Sequence, residues 1–258
     1  MNTRTIPSNF RDIGGHATAN GTAVIPGRIF RSSQLANIPE ESVRWLEGLG
    51  IRFVYDFRTA AERERSPDVP MPGAQSVWLD VLSDDSGSIA AMMQLVLQDP
   101  RKFGQDMTPD KVQTLYRTIY GNLISLPSAC KAYGAFFSSL LRDPDIPRVF
   151  HCTAGKDRTG WAAAMLLLLL GVHRDDVLAD YLASNEQLLQ GYSSIMEAFV
   201  ASGGDRAVVE NLLLVRPEYL EAGFASLKRT YGNISDYFSR GLGIAPKEQV
   251  NLISTYTS

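Results

Sequence analysis

The chain has 258 residues, enough for one elaborated domain or two small ones, and at 45% apolar, 21% charged and a mean hydropathy of −0.09 it has the composition of a globular protein with a sizeable core. Twenty-five basic against 28 acidic side chains give a net charge of −3 and a pI near 5.7, which excludes the overall positive field that draws nucleic acid or anionic lipid. Two cysteines, Cys130 and Cys152, are too few for a disulfide scaffold, and the longest apolar run, Trp161 to Val172, is shorter than the roughly 20 residues that span a bilayer. With no secretory signal in the opening residues Met1 to Pro7, the expectation is a cytoplasmic protein, export without a signal peptide staying open.

Short β-type segments occur at Arg28 to Arg31, Ile51 to Phe57, Ser76 to Leu79 and Arg148 to His151, each beside Gly, Pro or Asp punctuation. Between the first two, Pro39-Glu40-Glu41 opens a helix whose apolar face is Val43, Trp45, Leu46 and Leu49 and which Gly48 and Gly50 stop. Further helices are predicted over Pro109 to Ile124 and Ser128 to Leu141. From Thr159 the chain reads as helices alone: to Leu170, Asp175 to Ser184, Gln187 to Ser202, Asp205 to Leu214 and Pro217 to Tyr231. Ser202-Gly203-Gly204 is the best internal hinge, and no Pro/Ser-rich linker divides the chain. The pattern predicts a single domain over 1–258, an α/β core with a helical extension.

The most informative run is Val149-Phe150-His151-Cys152-Thr153-Ala154-Gly155-Lys156-Asp157-Arg158-Thr159-Gly160-Trp161: a buried strand, a tight polar loop, and the first turn of a buried helix with Thr159 at its start. Such a loop gathers backbone N–H groups and the positive end of a helix around one point, an arrangement that binds a dianion. A cysteine at the strand end faces those donors as a stabilised thiolate, a nucleophile at neutral pH. Arg158 returns to the mouth of the loop, where its planar fork can hold two phosphoryl oxygens.

That run resembles the His-Cys-x5-Arg-Thr-Gly signature of cysteine-dependent protein tyrosine phosphatases. Its Ala-Gly-Lys-Asp-Arg centre is similar to the bacterial tyrosine and lipid phosphatases of atypical dual or triple specificity, the secreted mycobacterial tyrosine phosphatase B type. Supporting segments are Asn9 to Gly15, Gly27 to Ser33, Asp56 to Thr59, Ala179 to Leu182 and Val215 to Leu220, so the resemblance runs from near the N-terminus to about Tyr231. It implies an α/β phosphatase fold, a central mixed sheet flanked by helices with a C-terminal helical extension. It also implies a phosphomonoester hydrolase that works through a cysteinyl-phosphate without metal or cofactor. The expected substrates are phosphotyrosine proteins, with phosphoserine, phosphothreonine and phosphoinositides beside them, and the product is inorganic phosphate. On this reading Cys152 is the nucleophile, Arg158 the clamp, and the N–H groups of Thr153, Ala154, Gly155, Lys156, Asp157 and Arg158 the cradle. For the general acid the subfamily points to Asp157, while Asp80, Asp84 or Asp85 could supply it from a separate loop, as in many phosphatases of this fold.

Other readings are weighed against these. A catalytically inactive phospho-ligand binding module is the alternative, opposed by intact Cys152, Asp157 and Arg158; sulfur transfer or arsenate reduction would not need the Lys-Asp-Arg-Thr-Gly continuation. A nucleotide loop would need glycine where Phe150 stands and Ser or Thr where Asp157 stands. Three histidines and no Cys-x-x-Cys pair disfavour a metal site, so His151 is expected to orient the loop by hydrogen bonding. Asp56 and Arg58 either line the pocket or form a bracing ion pair, and Cys130 reads as a core residue on a helix. Met92, Met93, Leu95 and Leu97 form a core helix or a mobile cover, with core the better reading. Lys156 suggests a wide basic pocket. Within 187–231, the apolar face Leu188, Leu189, Tyr192, Ile195, Met196 and Phe199 of segment 187–214 either packs permanently or forms a lid over Cys152.

Overall fold

A computed structural model describes residues 6–85, 103 and 107–258. Its centre is a five-stranded sheet of β1 (Arg11–Asp12), β2 (Ile29–Ser32), β3 (Phe53–Asp56), β4 (Gln75–Trp78) and β5 (Arg148–His151), in the spatial order β1-β2-β5-β3-β4. All neighbours run parallel except β1, a two-residue antiparallel edge too short to leave a sequence signal. The central strand β5 is buried throughout, as a parallel strand covered on both faces must be. Its register sets His151 level with Ser32 of β2 and Asp56 of β3, so the chain leaves the sheet at Cys152 between two other strand ends. Open α/β sheets bind ligands at such carboxyl ends.

Alternate side chains feed two cores. On one face Phe30, Val54 and Val149 meet Val43 and Leu46 of α1 (Glu40–Gly48). On the other, Ile29, Tyr55 and Phe150 join a larger cluster built on α3 (Pro109–Ser125), α4 (Pro127–Leu140) and α5 (Arg158–Leu169). The short α2 (Ala60–Arg65) follows β3. Helix α5 is apolar all round and buried from Arg158 to Leu167, as its leucine run requires. Arg148 is buried as well; its guanidinium donates to the carbonyls of Ser139, Arg142, Asp143 and Ile146 around the exit of α4.

The helical back half differs from expectation in two places. The segments predicted as separate helices to Ser184 and from Gln187 form one 28-residue helix, α6 (Arg174–Ala201). Ser184 and Asn185 look like a cap in sequence, but their polar atoms serve tertiary partners: Arg11 donates to Ser184 Oγ, and Asn185 pairs both ways with the Val215 backbone. The Ser202-Gly203-Gly204 break is a closed cap and no slack hinge. Gly203 and Gly204 donate to the carbonyls of Val200 and Phe199, and a Cβ on Gly204 would stand 2.2 Å from the Phe199 ring. Helix α7 (Arg206–Leu213) is capped by Asp205, and α8 (Pro217–Tyr231) has the expected bounds. A helical turn, Ile234–Asp236, leads through a π-turn, Tyr237–Gly241, to α9 (Pro246–Tyr256), after which Ser258 pairs with Ala23.

Leu188, Met196 and Phe199 of α6 are buried against Val208, Val209 and Leu212 of α7, so that face packs into the large core, with Leu189 outside it. Cys130 is half-buried on α4, its thiol near the Ile124 carbonyl and 3.7 Å from the Tyr231 hydroxyl. Met92, Met93, Leu95 and Leu97 lie outside the described residues.

Candidate active site

Between β5 and α5 the chain makes a loop whose shape is fixed from outside. Gln34 N donates to Thr153 O, Asn9 Nδ2 to the carbonyls of Ala154 and Gly155, and Arg31 Nη2 to Gly155 O at 2.8 Å. A planar trans peptide points its N–H opposite to its C=O, so carbonyls held outward turn the following amides inward. Gly155 has φ +67°, and a Cβ there would stand 2.3 Å from the Ser32 carbonyl, so only glycine fits this turn. Helix α5 begins at Arg158 with Asp157 as its cap residue, one turn position earlier than the sequence reading that placed Thr159 at the start. Thr159 is wholly buried in the first turn. The amides and the positive helix end thus converge beside Cys152, which is 2% exposed.

The residues that hold the loop are held in turn. Arg31 is buried and pairs with Asp180 at 2.6 Å, and Arg11 reaches the same carboxylate at 2.7 Å. Burial would raise Asp180, but the two guanidinium groups overcome it and hold the carboxyl to about 2. Burial and the charge of Arg11 bring Arg31 down to about 10. Asn9, in the left-handed region at φ 57°, is 1% exposed.

Arg158 is gripped by Glu62, with Nη1 to Oε2 and Nη2 to Oε1 both at 2.7 Å. Glu62 also accepts from Thr153 Oγ1 and closes the capping box of α2 on Thr59. Burial would raise the Glu62 carboxyl, but Arg158 and the Thr153 hydroxyl overcome it and hold it well below the usual carboxylate range. Burial alone would lower Arg158, and Glu62 instead raises it above its ordinary value. Glu62 is the functional residue that the sequence reading passed over. Thr59-x-x-Glu62 marks a carboxylate fixed just beyond the end of β3, the strand beside β5, and that pattern could have found it.

The candidate acids separate clearly. Asp157 accepts from the Tyr120 hydroxyl at 3.2 Å, and its other oxygen lies 3.6 Å from Lys156 Nζ. Asp80 is half-buried on the loop after β4, near enough to Arg158 and Glu62 to feel both charges; burial raises its carboxyl. Asp84 is exposed and exchanges hydrogen bonds with Ser128 at the start of α4, which makes it a helix cap and no part of the site. Asp85 is half-buried just beyond it.

Behind the loop stands a buried ion cluster. Arg58 pairs with both oxygens of Asp56 and with Asp68, and His151 Nε2 is 3.1 Å from Asp68. Asp56, Asp68 and His151 place metal-type ligand atoms within 4.8 Å of one another, but the guanidinium already occupies the carboxylate oxygens that a cation would need. Asp56 and Arg58 therefore brace the strand ends instead of lining the pocket. His151 approaches the Cys152 carbonyl with Nδ1 at 3.3 Å, in keeping with its expected role of orienting the loop.

Beside Thr153 and Ala154 lies an open cleft of about 400 Å³, lined among others by Gln34, Ile38 and, from α6, Gln187, Leu188 and Tyr192. Among the described residues its lining carries no charged side chain. Burial and the nearness of Cys152 push the Tyr192 hydroxyl up to about 12. The expectation of a wide basic pocket is corrected here: Lys156 is 4% exposed and its ammonium points into the protein, toward Tyr116 and the Leu212 carbonyl.

Comparison with known proteins gives the same direction. A protein of Cupriavidus necator, provisionally named a tyrosine-protein phosphatase, is 34% identical over 241 residues, covering 92% of this chain and 82% of its own. The triple specificity protein phosphatase PtpB of Mycobacterium tuberculosis is 31% identical over 270 residues, 95% of each chain. The solved structure of P. aeruginosa TpbA aligns over 80% of this chain and 89% of its own at 15% identity and a TM-score of 0.29, too slight a likeness to carry weight. The sequence pattern of the tyrosine phosphatase family matches residues 5–258, nearly the whole length, and with Cys152, the amide loop and the gripped arginine in place, the chain belongs to that family.

Proposed function

We propose that the chain acts as one phosphatase domain that hydrolyses phosphomonoesters through a cysteinyl-phosphate, with phosphotyrosine as its preferred group. The Cys152 thiolate attacks phosphorus and an S–P bond forms as the bond to the ester oxygen breaks. The departing oxygen takes a proton from the Asp157 carboxyl; a water then attacks phosphorus, returns a proton to Asp157 and releases inorganic phosphate and the thiolate. The amides of Thr153 to Arg158 receive the equatorial oxygens, together with Arg158 Nε and the remaining Nη2 hydrogen, since Glu62 takes the other side of the fork. No step calls for a metal or cofactor, and a free thiol suits the cytoplasm.

The observation that carries the phosphotyrosine reading is the cavity beside Thr153 and Ala154, where Leu188 and Tyr192 suit an aromatic ring. A phosphoinositide brings further phosphates, each close to two negative charges, for which the described residues of that lining offer no cation. A panel of phosphotyrosine, phosphoserine and phosphothreonine peptides and soluble phosphoinositides, assayed on one preparation, tests it. The expected result is the highest kcat/KM on phosphotyrosine; equal or better turnover of phosphoinositides would overturn the preference. For the acid a second reading has support: Asp80, with its carboxyl raised by burial beside Arg158, is suited to carry a proton.

A further inference from the structure

Lys156 stands between Gly155, whose carbonyl Arg31 and Asn9 hold, and Asp157, yet its side chain leaves the loop on the side away from the cavity. Its ammonium donates to the Tyr116 hydroxyl and the Leu212 carbonyl at 2.8 Å each and to the Leu214 carbonyl at 3.4 Å, three donors on three acceptors. Nζ also lies 4.8 Å from the centre of the Tyr116 ring. Leu212 is in the last turn of α7, where carbonyls have no partner within the helix and a cation is favoured by the dipole. The neighbouring Asn211 carbonyl is met by the Tyr219 hydroxyl, so the whole helix end is tied down by side chains from elsewhere.

We propose that Lys156 is a positioning residue that fastens the end of α7 to the catalytic loop and thereby fixes Asp157 between its ammonium and the Tyr120 hydroxyl. The part that concerns Asp157 rests on that residue's being the proton donor. Burial lowers the Lys156 ammonium from its ordinary value, the cost of holding a cation where no solvent reaches it. A lysine kept under that cost and fully bonded serves the protein's own groups, and it has no donor left for a substrate. The Tyr120 hydroxyl is itself braced by Tyr181 at 2.6 Å, so α3, α6 and α7 all reach the loop at this one carboxylate.

The test uses the full chain with Lys156→Met, which keeps the stem and removes the charge, and Lys156→Gln, which removes the charge but keeps a polar end, while Tyr116, whose hydroxyl itself donates to the Leu212 carbonyl, stays intact. Amide hydrogen exchange is followed over residues 211–215, and kcat and KM are measured on a phosphotyrosine peptide, on 4-nitrophenyl phosphate and on a soluble phosphoinositide. Lys156→Met should speed exchange at 211–215 about tenfold or more, with β5 and α8 unchanged. On the peptide, kcat should fall about tenfold or more while KM stays within about threefold, and the nitrophenyl ester, which needs less proton donation, should lose less. Unchanged exchange, or a raised KM for the phosphoinositide with kcat retained, would overturn the proposal and return the ammonium to the substrate. If Lys156→Met does not fold, Lys156→Gln decides: faster exchange confined to 211–215 supports the fastening, and unchanged exchange rejects it. Asp157→Asn measured alongside keeps the two readings apart, since loss of its leaving-group dependence rejects the acid assignment while exchange at 211–215 still reports on the fastening.

Discussion

Arg58 and Arg158 are both buried guanidinium groups gripped by carboxylates at the end of the central sheet, yet only one has donors left for a ligand. Arg58 uses all five N–H bonds inside the protein: on both oxygens of Asp56, on Asp68, on Gln34 and on the Ser66 carbonyl. Arg158 gives Nη1 and Nη2 to Glu62 and reaches the Phe57 carbonyl, but no partner meets its Nε among the described residues, and its contact with Thr153 is long at 3.5 Å. A saturated arginine can only hold the fold, whereas one aimed by a carboxylate and left with unspent donors beside a ring of amides can hold an anion.

The sharpest way to break that comparison is to truncate each arginine. Arg158→Ala should lower kcat/KM of the folded protein about 10³-fold or more and abolish phosphate binding, and it should also cost stability because Glu62 loses its partner. Arg58→Ala leaves buried Asp56 with Arg63 alone of its guanidinium partners and should cost about 3 kcal/mol of stability in denaturant unfolding, while the folded fraction keeps most of its kcat. A reversed pattern would dissolve the distinction.

Next in size is the acid. Asp157→Asn should lose about 10² or more in kcat on an ester with a poor leaving group and much less on a good one. If Asp157→Asn slows both esters equally and Asp80→Asn shows the leaving-group dependence, the proton comes from the β4 loop.

A third effect concerns the brace behind Gly155. Asp180 is held to about 2 against an ordinary 3.8, so its contribution is present above pH 4 and is lost as pH falls through 2. The shift amounts to about 2 kcal/mol. Unfolding followed from pH 5 to pH 2 should weaken less steeply in Asp180→Asn than in the parent, and equal slopes would remove Asp180 from the brace. The smallest effect is at Asp84: Asp84→Ala should cost about 1 kcal/mol through the lost cap on α4 and leave kcat unchanged.

Much of this site was legible in the sequence because its parts are contiguous. The strand, loop and helix from Val149 to Trp161 carry the nucleophile, amides and clamp in one run, and local pattern predicted four of the five strands and the bounds of α8. What escaped depends on distance along the chain. Glu62 meets Arg158 across 96 positions; the Thr59-x-x-Glu62 capping box marks a fixed carboxylate, but only the fold shows that Arg158 is its partner. The sequence places one helix to Ser184 and another from Gln187, and only the fold shows the polar atoms of Ser184 and Asn185 spent on Arg11 and Val215 within one continuous helix. Lys156 was placed toward the substrate because a cation beside a phosphate loop suggests it; the acceptors that turn it inward belong to α3 and to α7 and its exit.

The covalent route through Cys152 is tested most directly by trapping. The enzyme is mixed with a phosphorus-labelled aryl phosphate, quenched in alkaline denaturant within the first turnover, digested and mapped. Label on the peptide that contains Cys152, held through sulfur and absent from Cys152→Ser although that variant still binds the ester, is the expected result. Turnover with no label on any peptide, or label that persists in Cys152→Ser, would contradict it.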